Sequence, residues 1–143
     1  MTYRNAVLAL CLTPAWLIAA GAAAKAGPND ILVGLDEKMT YGDAGSVTGP
    51  GGKDAVLVMD VTNPAHPKIR ASLPLSNSLL GPPTNLQITP DGRLGLVANS
   101  VVNVQEGNSW KAVPDDKLYV IDLTADPPKL IDTVAVGRQP SGL

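Results

Sequence analysis

The chain has 143 residues, with 11 Lys and Arg against 13 Asp and Glu, one cysteine and no phenylalanine, so Val, Leu and Ile must supply nearly all of any core. This balance excludes a disulfide framework. It also offers no basic stripe to a phosphate backbone, so nucleic acid is not an expected partner.

Residues 1–26 read as an export signal. Arg4 precedes an apolar run from Ala6 to Ala24, and Ala24-Lys25-Ala26 has the small-x-small form of a cleavage site. An uncleaved anchor is the competing reading, but the run is alanine-rich and broken by Pro14. Cleavage removes Arg4 and Lys25, leaving nine basic groups against 13 acidic ones and a net charge of −4. Cys11 goes with the signal, and Leu10 before it is too large for a lipoprotein cleavage site. The expected product is residues 27–143, periplasmic or secreted, without a thiol or a membrane partner.

Short runs of alternating or continuous apolar character follow, bounded by Pro, Gly, Asn and Asp. They predict strands at Ile31–Glu37, Ala55–Val61, Lys68–Leu75, Asn85–Thr89, Arg93–Asn99, Lys117–Leu123 and Lys129–Val136. No stretch after residue 26 sustains a helical period, so the fold class expected is all-β. Thr89-Pro90-Asp91-Gly92 has the residues of a type I turn and joins two of these strands as a hairpin.

Two segments repeat. Ala55–Leu75 (AVLVMDVTNPAHPKIRASLPL) lies over Lys117–Val136 (KLYVIDLTADPPKLIDTVAV), matching Asp60 to Asp122, Thr62 to Thr124, Pro67 to Pro128 and Lys68 to Lys129. The closing GRQPSGL matches the stretch that begins at Gly81, pairing Pro140-Ser141-Gly142-Leu143 with Pro83-Thr84-Asn85-Leu86. Asp and Thr recurring at equivalent turns point to side-chain bonding to the turning backbone rather than to catalysis.

With PTNLQITPDGRLGLVANS, LYVIDLT, DVTNPAHPKI and VGRQPSGL, the sequence resembles the secreted bacterial β-propellers of YVTN and LVIVD repeats. The resemblance covers essentially all of Ile31–Leu143. It implies four-stranded antiparallel blades, about two of them here, from a ring of seven. By motif, Asn85–Thr89, Arg93–Asn99, Lys117–Leu123 and Lys129–Val136 become strands A to D of one blade, and the three earlier segments become B, C and D of the blade before it. On this mapping the chain is expected to be the N-terminal part of a longer propeller, associating through open strand edges.

The two irregular stretches, Lys38–Asp54 and Ser100–Asp116, both connect B to C, which predicts that both emerge on one face. Insertions gathered on one face of a repeat protein often mark its binding face. Candidate ligand-binding residues there are Glu37, Tyr41, Asn99, Trp110 and Arg138. Trp110 suits a stacking platform or a shield folded over its neighbours, and Arg138 suits a carboxylate clamp or a solvated crossing. Glu37 and Asn99 end the B strands, as polar contacts or turn caps.

Other motifs fail on inspection. GSVTGPGGKD (Gly45–Asp54) has Val where a phosphate-binding loop needs its first Gly and Asp where it needs Ser or Thr, and reads as a flexible loop. Asp36-Glu37-Lys38 and Asp115-Asp116 read as solvated loop charge, and His66 is alone in a turn expected on the opposite face. No catalytic residue, metal site or cofactor is expected. The function expected is a non-enzymatic scaffold binding a small molecule, polymer or protein through its loop-rich face; a lactonase-like hydrolase or a redox-enzyme subunit, with catalytic residues in other blades, is the alternative.

Overall fold

The structure, a computed structural model, describes residues 29–78 and 85–143. The signal segment and the crossing residues 79–84 lie outside the described residues. Nine strands and no helix make up the described part: β1 (Asp30–Leu35), β2 (Met39–Gly42), β3 (Gly45–Thr48), β4 (Ala55–Asp60), β5 (Lys68–Leu73), β6 (Leu86–Ile88), β7 (Leu94–Glu106), β8 (Ser109–Asp122) and β9 (Lys129–Ala135). Nothing among the described residues is a helix long and apolar enough to cross a membrane.

The chain is all-β and every pairing is antiparallel. A first sheet has the order β1-β4-β5, a second has the order β6-β7-β8-β9, and β2-β3 is a separate hairpin. Five of the seven expected strands keep their bounds to within two residues. The other two, β7 and β8, are far longer than expected. Ser100–Asp116, read as an irregular loop, continues the β7–β8 ladder, and Lys38–Asp54 contains the β2–β3 hairpin. The polar residues of both stretches suggest loop, whereas Val101, Val102 and Val104, with Val113 opposite Val102, are β-branched residues suited to strands.

The core lies between the two sheets. Val56, Val58, Val97 and Ile121 are fully buried, with Leu75 and Leu123 beside them, and Leu32, Ala71, Leu73, Leu86, Ile88 and Tyr119 pack around this cluster. Each fully buried aliphatic side chain contributes about 1.5–3 kcal/mol of transfer free energy. Strand alternation explains the choice, since Leu32, Val58 and Ala71 share one register row and one face of the first sheet.

Local chemistry sets the corners. Gly92 N–H donates to Thr89 O (2.8 Å), and Gly92 sits at φ +70°, which completes a type I turn with a following left-handed residue. Asp60 Oδ1 accepts from Thr62 N–H (2.8 Å), and Asp122 Oδ1 accepts from Thr124 N–H (2.9 Å), so these turns are held by their own side chains. Hydrogen bonds from Thr62 and Thr124 hold both carboxyls below their ordinary value.

Arg70 pins the sheets together at this end. It forms an ion pair with Asp30 and donates to Leu123 O and Ala125 O of the second sheet, both at 3.2 Å. Burial pushes the Asp30 carboxyl above its usual range, with Arg70 pulling the other way. Arg70→Met, measured by urea denaturation, is expected to cost about 3 kcal/mol, because it strands a buried carboxylate and two carbonyls.

Gly34 marks the tightest approach at the opposite end. A Cβ there would stand 2.6 Å from Asn77 Oδ1 and 3.1 Å from Leu86 Cδ1, whereas one at Gly42 would meet nothing within 4 Å. Gly34→Ala is therefore expected to lower stability by about 1–3 kcal/mol and Gly42→Ala by less than about 0.5 kcal/mol in the same denaturation assay.

Candidate functional site

Two hairpin arms project from the end of the sandwich where β1 stops and β7 runs on. The β7–β8 ladder shifts register between Asn99 and Val101, and the strands then continue paired to Glu106 and Ser109. The tip is the two-residue loop Gly107-Asn108, with Gly107 at φ +62° as a type II′ turn requires. The second arm is β2–β3, with Gly42 paired to Gly45 at its tip.

Asn103 joins the arms. Its Nδ2 donates to Lys38 O (3.3 Å) and to Gly49 O (3.0 Å), the carbonyls that flank the base of β2–β3. Gly49 N–H also donates to Lys38 O (2.8 Å), closing that base.

Beneath the arms lies a floor of buried polar groups. Lys38 is only 3% exposed, and its ammonium meets the Asp54 carboxylate, the Asn77 carbonyl and, at 3.1 Å, Asp36 Oδ1. Three donors thus face three acceptors, the condition under which a buried ammonium is tolerated. Asp54 also accepts from Ser76 Oγ, Asn77 N–H and Glu37 N–H. The Asn77 amide, almost fully buried, donates to Leu35 O, Ala55 O and Leu75 O at 3.1–3.3 Å, binding the ends of the first sheet together.

The second sheet has its own cluster. Asn99 Nδ2 donates to Asp115 Oδ2 and Lys117 Nζ to Asp115 Oδ1, both at 2.7 Å, while Asn99 Oδ1 has no donor. Burial alone would push the Asp115 carboxyl up, but hydrogen bonds from Lys117, Asn99 and the Asp116 backbone together hold it below its ordinary value. The same contact with Asp115 raises Lys117. Nearby, Ser100 Oγ donates to Pro140 O (2.8 Å) and Gln139 N–H to Asp115 O (2.8 Å).

All five candidate residues from the sequence fall at this end, though no hydrogen bond or ion pair joins any two of them. Glu37 is exposed at the base of the first arm, and Tyr41, 75% exposed, stands on β2. Trp110 is half-buried on β8 opposite Gln105, so it belongs to a strand and not to a polar loop. Arg138 is exposed beyond β9. Asn99 does not end its strand; it is fully buried at the register shift within β7.

The reading of Asp36-Glu37-Lys38 and Asp115-Asp116 as solvated charge is corrected for Asp36, Lys38 and Asp115, whose side chains are nearly out of water. The joining of Lys38, Asp54 and Asn77 is not among the sequence-based expectations. A signal was present: pairing Leu35 with Ala55 brings Asp36 and Asp54, two like charges, to one end of the sheet, and Lys38 two residues further on is a cation able to neutralise them. Among the described residues no three His, Cys, Asp or Glu side chains are grouped as metal ligands. No family model, curated protein or solved structure matches the chain.

The Asp115 cluster has a pH signature. Its folded value lies below the unfolded one, so its contribution is full above the unfolded value of about 3.9 and is lost as pH falls through the folded value. Asp115→Asn is expected to be less stable by about 1–2 kcal/mol at pH 7, with the difference from wild type shrinking below about pH 4, in denaturant titrations across that range.

Proposed function

We propose that the chain is an exported β-propeller repeat protein that works as a binding or protein-interaction scaffold through its two-armed end. The observation that carries the binding reading is the Asn103 clasp, which makes two arms one surface over a hydrogen-bonded floor. Tyr41 (75% exposed) and Val47 (64% exposed) lie on the first arm, and Val104 and Trp110 on the second. An aromatic group held on a rigid strand pair loses little freedom on binding, which is what a ligand platform needs.

Matching details in the two sheets support the repeat reading. Val61 N–H donates to Asn29 O (2.8 Å) in the first, and Leu123 N–H to Arg93 O (2.9 Å) in the second. A register shift falls between Val58 and Met59 in one and between Val120 and Ile121 in the other, two residues before Asp60 and Asp122. The up-and-down order β6-β7-β8-β9 is the order of a four-stranded blade. The ligand is a small molecule, a polymer or a protein, and the net negative charge argues against nucleic acid.

A thermal-shift panel of glycans, peptides and small carboxylates tests the binding reading. At least one class is expected to raise the melting temperature of the wild type and to bind Tyr41→Ala or Trp110→Ala at least about tenfold more weakly, a loss of about 1.4 kcal/mol. Ligands that bind both variants as well as wild type would place recognition elsewhere and defeat the reading.

A further inference from the structure

The two sheets present unlike faces to each other. Register rows place Leu32 and Val58 on the face of the first sheet that meets the second, while their equivalents in the repeat, Leu96 and Val120, lie on the far face of the second sheet. Conversely, Ile121 is fully buried in the contact, and its equivalent Met59 lies on the far face of the first sheet. The front of one sheet therefore packs on the back of the next. Such a contact is heterologous, and among the described residues it leaves one front and one back uncovered.

Both uncovered faces are mainly apolar. The back of the first sheet carries Ile31 (42% exposed), Val33, Leu57, Met59 and Ile69 (61% exposed). The front of the second carries Leu94, Leu96, Leu118, Val120, Ile131 (51% exposed) and Val134 (39% exposed), with Gln87 and Asp132 at the two ends of the Leu96–Val120 row. Alternation would make these rows polar if they faced water.

At the foot of the uncovered front is a cleft of about 280 Å³ lined by Asp91, Arg93, Leu94, Asp122, Thr124 and Ile131. Its place corresponds to the spot on the first sheet where Arg70 grips Leu123 O and Ala125 O. The segment of the first sheet equivalent to Leu123–Ala125 is 61–63, the turn after β4, and the cleft supplies Arg93 as a donor near where Arg70 would stand.

We infer that the uncovered front of the second sheet takes the uncovered back of the first sheet of another copy of this chain, head to tail, with the 61–63 turn seated at the Arg93 cleft. The occupant follows from the contact already present in the fold, of which this is a second instance. The inference rests on the repeat reading and is independent of the two-armed end as a ligand platform.

Differently tagged copies of the full chain, mixed after refolding together, test it. Wild-type copies are expected to co-purify. Chains with a disabled back (Ile31→Glu with Ile69→Glu) are expected to lose at least tenfold of that pairing with themselves, as are chains with a disabled front (Ile131→Glu with Val134→Glu). Mixing the two kinds leaves one intact front and one intact back, and pairing is expected to return to within about twofold of wild type. Failure of wild-type copies to pair overturns the inference, as does same-variant pairing at the wild-type level, the result that edge pairing or the shared N-terminal segment would give.

Cross-linking adds a readout that does not depend on charged substitutions. In the existing contact Gly95 of the second sheet stands against Leu32 of the first, with a Cβ at Gly95 only 3.1 Å from Leu32 Cδ1. The equivalents are Ile31 and Leu96. With Cys11 replaced by Ser, Ile31→Cys on one copy and Leu96→Cys on another are expected to form a disulfide at least tenfold faster than Ile31→Cys with itself. Equal rates would overturn the head-to-tail arrangement while leaving ligand binding at the arms untouched.

Discussion

The ammonium of Lys38 has almost no contact with water, and removing a charge from water costs several kcal/mol unless every donor is matched. The match is made by Asp36, Asp54 and Asn77, which come from the end of β1, the start of β4 and the stretch after β5. One group thus fixes three chain segments at a point. Asn77 can serve only because Gly34 leaves room for its amide, and the amide in turn holds carbonyls at the ends of β1 and β4. The backbone of Lys38 then presents the carbonyl that Asn103 grips. Position of the first arm, closure of the first sheet and union of the two arms all depend on this node.

The hydrogen-bonded end and the outer faces are complementary. The floor under the arms is satisfied by hydrogen bonds at nearly every atom, so it is a fixed base for the two arms that carry Tyr41 and Trp110. The outer faces have the opposite character: largely apolar rows, with polar groups gathered at the foot of the second sheet around Arg93. The proposed recognition at the arms and the proposed stacking at the faces would therefore use different chemistry on different surfaces. A molecule using both could assemble without masking its platform.

Much of the fold was legible because strand signals here are local. Pro90-Asp91-Gly92 announces its turn, Asp60 and Asp122 announce theirs, and the apolar runs between have the length of strands. The common end of the two insertions followed from placing both at the same connection of the repeated antiparallel unit. The long arms were missed because Asn103, Gln105 and Asn108 suggest loop, while the strand tendency of the intervening valines is expressed only against a partner strand. Burial of Lys38 and Asp115 was hidden for a different reason. Charge in a loop normally faces water, and only the three-dimensional meeting of residues far apart in the chain reverses that for these two.

The length of the β7–β8 hairpin bears on the order in which the molecule assembles. Twelve residue pairs follow one two-residue loop, so these contacts are local in the chain, and a hairpin of this kind zips in about microseconds. The first sheet is synthesised earlier and can gather its own charged node, but the face with Val56 and Val58 has nothing to cover it until Val97 and Ile121 arrive on that hairpin. The later segment is therefore the faster one to form and acts as the template on which the earlier one finds its place.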